Sequence, residues 1–194
     1  MPPLFRMSNR EGLVSDPTDE ELMARYQSGD EAAFEEIYSR YAKRIYGFLL
    51  RRLGHPDDCA ELFQETFLRV HRSRSLYRPE MPFKAWVYTI ANNLVRDRVR
   101  AKARSGAFRA LNEEENSEGN WIVEGVTPDG GDKLLSFKEA FAKLTDDQRE
   151  AIVLSRFQGL KYEEIGRVMG RSTEAVNQLI QRAMRHFREC FDES

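Results

Sequence analysis

Lys84, Tyr88, Asn92, Arg96 and Arg100 recur at every fourth residue, so on a helix they stack into one stripe. Within Pro82–Arg104 six cations stand against Asp97 alone, a net of +5. Cations hold phosphates, rings stack on bases and amides bond base edges, so this stripe suits a polyanion whose bases can also be touched. A second set lies near the C-terminus. Glu174, Asn177, Gln178, Gln181 and Arg185 share the outward side of a helical pattern. Amides on an exposed helix face are what bidentate reading of adenine in a major groove requires, and a glutamate can accept from cytosine. A third set, Asp58, Glu61, Gln64, Glu65 and Arg69, makes an acidic-amide face. None of the three has the makings of catalysis. Asp57, Glu61 and Glu65 would serve a carboxylate-bridged metal bundle, but the chain has no Glu-x-x-His, and His55, His71 and His186 do not cluster in sequence. No nucleophile–base pairing or phosphate-cradling loop is present. The expectation is no enzyme, no catalytic residue, no metal and no cofactor.

The elements that must position these sets are helical. Pro82–Arg104 reads as one helix with Phe83, Trp86, Val87, Ile90, Leu94 and Val95 on its apolar side, so Trp86 is expected in the core. Upstream, Thr18-x-x-Glu21 is a capping box, and Gly29-Asp30 breaks the first helix and caps the next. Glu31–Leu53 is expected to bury Phe34, Ile37, Tyr38, Tyr41, Ile45, Phe48 and Leu49. Gly54 suits its exit and Pro56 the start of a third helix, Asp57–Arg72, with Leu62, Phe63, Phe67 and Val70 inward. The loop Ser73–Met81 carries Arg74, Tyr77 and Arg78.

After Arg104 the texture changes. Ser105–Lys133 holds seven acidic residues against Arg109 and Lys133, a net of -5, with five breaking residues among Gly119, Gly125, Pro128, Gly130 and Gly131. It reads as a flexible acidic linker, with one apolar knot at Trp121–Val123. A second helical unit begins near Leu134. Thr145-x-x-Gln148 opens a helix expected to run to Gln158 and stop at Gly159. In Tyr162–Phe187, Ile165, Gly166, Gly170, Val176 and Leu179 fit a helix-turn-helix, with Ser172 capping the second helix and Val176, Leu179, Ile180, Ala183 and Phe187 inward.

Composition bounds this reading. With 194 residues and 41% hydrophobic content the chain suffices for one medium domain or two small ones. Net charge is only -2, so the uneven distribution of sign, not the total, points to nucleic acid. Cys59 and Cys190 read as reduced thiols of a cytosolic protein, no run is long enough to span a membrane, and Met1–Asp16 is too short, polar and broken for a signal peptide. The fold class expected is all-α: a disordered tail at 1–17, a helical bundle at 18–104, the linker at 105–133 and a helix-turn-helix domain at 134–194.

The order of these features resembles an extracytoplasmic-function (ECF) sigma factor of bacterial RNA polymerase, in the sigma-70 family, over about Thr18–Cys190. TDEELMARYQSGDEAAFEEIYSRYAKRIYGFL resembles the start of sigma region 2, PDDCAELFQETFLRV the polymerase-binding helix and FKAWVYTIANNLVRDRVR the promoter-melting and minus-10 helix. LTDDQREAIVLSRFQGLKYEEIGRVMG followed by RSTEAVNQLIQRAM resembles region 4. The resemblance implies that Asp58, Glu61, Gln64 and Glu65 dock on the beta prime clamp of core polymerase, with the beta flap as a further contact. It implies that Leu76, Tyr77 and Arg78 lie where a flipped non-template base is pocketed, and that Lys84, Tyr88, Asn92, Asn93, Arg96 and Arg100 face the minus-10 element. Arg171, Ser172, Thr173, Glu174, Asn177, Gln178, Gln181, Arg182 and Arg185 then serve the minus-35 element. The linker would thread toward the active-site cleft and RNA exit path. The implied partners are core polymerase, promoter DNA and an anti-sigma factor wedged between the domains, with no small-molecule substrate and no membrane insertion. The implied location is cytoplasmic, on the nucleoid when active or held at a membrane by the anti-sigma factor.

The sequence departs from the family pattern at three places. Arg171 stands at a usually apolar position, Asn177, Gln178 and Leu179 replace a cationic pattern, and Lys161 stands where a capping hydroxyl is common. The alternative function is a stand-alone helix-turn-helix regulator, which would not need the acidic-amide helix or the Arg/aromatic loop.

Overall fold

The computed structural model describes residues 16–104 and 140–192. The tail at 1–15, the linker and its Trp121–Val123 knot lie outside the described residues, as do the side chains from Cys190 onward. Every regular element among the described residues is helical.

Four helices form the N-terminal bundle: α1 (Asp19–Gln27), α2 (Glu31–Leu53), α3 (Pro56–Arg72) and α4 (Phe83–Arg104). Their boundaries follow from local chemistry. Thr18 accepts from the Glu21 N–H while Glu21 accepts from the Thr18 N–H, closing the expected capping box. Asp30 caps α2 through the Ala33 N–H. Gly54 ends α2 in the left-handed region, φ 76°, and its N–H bonds the Leu50 carbonyl. Pro56 opens α3 one residue earlier than the sequence suggests, at a position where its missing N–H is no loss.

The bundle core is aromatic. Tyr41, Phe48, Phe83 and Tyr88 are fully buried, with edge-on pairs Tyr41–Phe83 at 5.2 Å and Phe48–Tyr88 at 5.4 Å between centroids. Tyr38 departs from expectation. It is 42% exposed, because its position on α2 leads to the outer edge of the α2–α3 seam, where its ring lies on Phe67 and Phe63. Trp86 is half-buried against Tyr77 and Phe83, on the core side as its spacing predicts.

The C-terminal unit holds a helical turn at 140–142, α5 (Asp146–Ile152), α6 (Tyr162–Met169) and α7 (Thr173–Asp192). Thr145 and Gln148 close the second capping box. The helix from Thr145 is not uniform to Gln158, however. Past Ile152 it widens into a π-helical turn, Val153–Phe157, before Gly159 stops it at φ 63°. The glycine pattern holds: a Cβ on Gly166 would lie 2.8 Å from the Arg171 carbonyl oxygen, so only glycine permits this close turn. Ser172 caps α7 through the Ala175 N–H, and Val176, Ile180, Ala183 and Phe187 are buried. At α6, Glu164 bonds the Lys161 N–H while the Lys161 side chain makes no cap bond.

The two units touch. α4 lies along α6, and the C-terminal half of α2 meets the π turn.

Candidate nucleic-acid interface

Three surfaces carry the residues singled out by the sequence, and they differ in how accessible they are. α7 presents the simplest one. Its apolar side packs on α5 and α6, which leaves Thr173, Glu174, Gln178, Gln181, Arg182 and Arg185 exposed and Asn177 half-exposed in one row. Gln181 donates to the Asn177 side-chain oxygen at 3.4 Å, so the amides line up one turn apart. Arg171 is tied to Asp147 at the start of α5 and Ser172 is occupied as the cap, so these two shape the start of the helix. The Glu174 carboxyl is held below its usual range by a backbone N–H and by Ser172, which keeps it an acceptor.

On α3 the acidic face divides. Gln64 and Glu61 are exposed, and Glu65 pairs with Arg69 one turn on at 2.8 Å. Asp58 is different. It bonds Arg98 and Lys102 of α4, and although burial opposes ionisation, these two cations hold its carboxyl below the usual range. Arg98 reaches Glu61 as well, at 2.5 Å. Asp58 therefore clamps α3 to α4, while Glu61, Gln64, Glu65 and the 43%-exposed Leu68 line an open cleft with Leu94, Asp97 and Ala101 of about 520 Å³.

The third surface gathers fewer residues than the sequence suggests. In the loop, Leu76 stands 72% exposed and Arg78 is exposed, but Tyr77 is buried. The Tyr77 hydroxyl donates to the Met81 carbonyl at 2.9 Å, its ring packs on Phe83 and Trp86, and burial pushes its pKa up to about 12. Tyr77 is thus a core anchor of the loop, and Leu76 is the side chain it displays. On α4, Asn93 and Arg100 are exposed, whereas Lys84 is half-covered and Tyr88 and Asn92 are buried. The cover is the C-terminal unit. Lys84 Nζ donates to the Gly159 carbonyl at 3.3 Å, and Tyr88 bonds Gln158 Oε1 at 2.5 Å. Asn92 Nδ2 donates to Glu150 Oε1 at 3.0 Å, and Arg96 Nη2 to the same oxygen at 2.9 Å. The five-residue stripe exists, but in this arrangement the C-terminal unit lies on its first four members, Lys84 to Arg96, and leaves Arg100 exposed.

Sequence reasoning missed the partners on the other side of that seam. Glu150 is buried with a side chain 2% exposed, and it meets Arg52, 5% exposed, at 3.2 Å. Arg52 also donates to the Asp146 carbonyl, Arg96 to the Met169 carbonyl, and Arg51 lies over the Phe157 ring at 4.7 Å. The one signal available was a lone carboxylate, Glu150, directly before the apolar run Ala151–Leu154, where a buried charge needs a partner.

Residues 37–105 match the Sigma-70 region 2 family, and residues 134–187 match the Sigma-70, region 4 family. The RNA polymerase sigma factor CarQ of Myxococcus xanthus is 35% identical over 173 residues, covering 88% of this chain and 96% of CarQ. This chain belongs to the ECF sigma factors. The ECF RNA polymerase sigma-E factor of Haemophilus influenzae is 30% identical over 175 residues, covering 86% of this chain and 91% of that protein. The fold is shared with CnrH, solved in complex with the cytosolic domain of CnrY, at a TM-score of 0.65 and 24% identity over 91% of this chain and 98% of CnrH. It is also shared with the sigma factor RpoE of Bartonella quintana, solved in complex with the anti-sigma factor NepR, at a TM-score of 0.60 and 21% identity over 82% of this chain and 96% of that one. The ECF sigma factor is a transcription initiation factor, and the stand-alone regulator is set aside. Among the described residues no helix is long and apolar enough to cross a membrane, and no group of His, Cys, Asp and Glu side chains is placed to hold a metal ion.

Proposed function

We propose that this ECF sigma factor docks on core RNA polymerase through the α3 face, reads the minus-35 element with α7 and engages the melted minus-10 element with the loop and α4. The observation that carries this reading is the exposed amide row of α7 on a helix whose other side is already packed. A protein that only needed a stable hairpin would not require it. Glu61, Gln64, Glu65 and Leu68 are the docking residues, and Asp58 holds the α3–α4 frame beneath them. Leu76 and Arg78 meet the unstacked bases and backbone first, with Asn93 and Arg100 beside them. Lys84, Asn92 and Arg96 join when the C-terminal unit moves off α4. The chain supplies recognition and melting while the polymerase does the covalent chemistry, so no cofactor is needed.

An anti-sigma factor is the proposed inhibitor. The sigma factor RpoE of Bartonella quintana, which shares this fold and was solved with the anti-sigma factor NepR, supports it. Because α4 already meets the C-terminal unit, the inhibitor would cover the outer faces of α3 and α7. A cytoplasmic location, on the nucleoid when active, follows from this role. The domain limits 18–104 and 134–194 and the linker between them are likewise proposed, and the two family matches are compatible with them.

The deciding test is assembly with bacterial core polymerase followed by run-off transcription on genomic promoters. Wild type is expected to co-purify with core and initiate. The double variant Gln64→Ala, Glu65→Arg is expected to keep its helical circular dichroism and fail to assemble. Normal assembly by the folded double variant would remove this face from the docking surface.

A further inference from the structure

We infer that Arg52, Asn92 and Arg96 form a phosphate-binding cradle, and that Glu150 fills it as an intramolecular stand-in until DNA displaces it. The inference rests on the proposed minus-10 role of α4 and adds to it a site residue, Arg52, and a mode of restraint. The cradle joins two helices of one unit, Arg52 at the end of α2 and Asn92 with Arg96 on α4, around a single carboxylate from the other unit. Arg96 Nε contacts the second oxygen, at 3.4 Å, so both carboxylate oxygens are engaged. Two guanidinium groups and an amide converging on one oxyanion is a donor set for phosphate as much as for carboxylate. Glu150 is one negative charge facing two positive ones. Moreover, the Nε of Arg52 is buried with no hydrogen-bond partner. A carboxylate leaves that donor unmet, and a phosphodiester offers further acceptor oxygens.

The same contact restrains the molecule. While Glu150 occupies the cradle, Tyr88 is held by Gln158, Lys84 by Gly159 and Arg96 by Met169, so DNA and the C-terminal unit compete for one face. Binding that requires the open form is weakened by the fraction of molecules that are open. The polar nature of the seam is what makes such competition workable. A dry apolar seam of this kind would not open to a charged ligand, whereas one anion can replace another.

The experiment uses the full chain without polymerase. Small-angle scattering reads opening, and fluorescence anisotropy with a labelled single-stranded thymidine oligonucleotide at low salt reads binding. Glu150→Gln is expected to raise the radius of gyration and to tighten oligonucleotide binding by about tenfold, since the buried Arg52 and the half-buried Arg96 lose their counter-charge. Arg52→Gln is expected to open the molecule too but to bring no comparable gain, because it removes part of the cradle. Circular dichroism confirms that each variant is folded, and Gln158→Ala provides a second opening variant should Glu150→Gln lose helix. An unchanged radius of gyration in both Glu150→Gln and Gln158→Ala overturns the restraint. Oligonucleotide binding as tight in Arg52→Gln as in Glu150→Gln overturns the phosphate cradle. Failure of wild type to support run-off transcription with core polymerase would instead defeat the proposed function, whatever these free-chain measurements give.

Discussion

At the residue scale, exposure decides which side chains can meet DNA. Leu76 and Tyr77 are neighbours with opposite fates: one is displayed, the other fully packed. Tyr77→Ala removes a buried ring and a hydrogen bond to Met81, so it is expected to lower stability by about 3–5 kcal/mol, measured by thermal or denaturant unfolding. Leu76→Ala should leave unfolding unchanged and impair promoter opening, read by permanganate footprinting, with partial rescue on a pre-melted bubble template. On α7, Gln178 is exposed and free of intramolecular duty. Gln178→Ala is expected to relax the base preference at one upstream position, by about 1–3 kcal/mol of discrimination, while leaving melting intact once the complex forms. Competition between promoter variants in run-off transcription measures this. A block in opening by Gln178→Ala would reverse the two roles.

At the scale of elements, two local devices set the geometry. Gly166 brings the two helices of the helix-turn-helix together where a Cβ would meet backbone at 2.8 Å. The backbone there is also bonded, Arg171 N–H to the Gly166 carbonyl, and has little room to give. Gly166→Ala is therefore expected to destabilise the C-terminal unit by about 1–3 kcal/mol and to weaken minus-35 selectivity, seen in unfolding and in promoter competition. The second device is the Asp58 clamp between α3 and α4. Its folded carboxyl titrates below the ordinary 3.8, despite burial, because Lys102 and Arg98 favour the anion. A depressed carboxylate contributes stability that is present above its unfolded pKa and is lost as pH falls through the folded value. Asp58→Asn should accordingly be less stable near neutrality and show a shallower loss of stability on acidification below about pH 4. Urea unfolding at stepped pH checks both signs.

At the scale of the molecule, the proposed DNA-facing groups are spread over two units and the chain carries almost no net charge, -2 overall. Under the proposed function, affinity for DNA comes from local cations held in register by the polymerase. Arg100 is exposed on α4 and paired with no carboxylate among the described ion pairs. Arg100→Ala is expected to weaken promoter binding by the holoenzyme across sequences alike and to reduce the slope of log affinity against log salt by about one. A change confined to one base position would mean that Arg100 reads sequence instead.

The sequence by itself determined the helices, most of their ends and the helix-turn-helix, because these depend on local chemistry; the π turn Val153–Phe157 was not legible in it. Thr18, Asp30, Gly54, Thr145, Gly166 and Ser172 each act within a turn of their own position, and the three-and-four spacing of apolar residues fixes each buried side. It also showed the order of motifs that marks the family. Only the tertiary structure decided which polar residues are free. Spacing placed Lys84, Tyr88, Asn92 and Arg96 on one stripe, but whether that stripe meets solvent depends on Glu150, Gln158 and Gly159, which lie more than fifty residues away. Asp58 and Tyr77 fell to the same cause: α4 supplies Arg98 and Lys102 to one, and Phe83 and Trp86 to the other. A helical period tells which residues share a side; it carries no information about what is packed against that side.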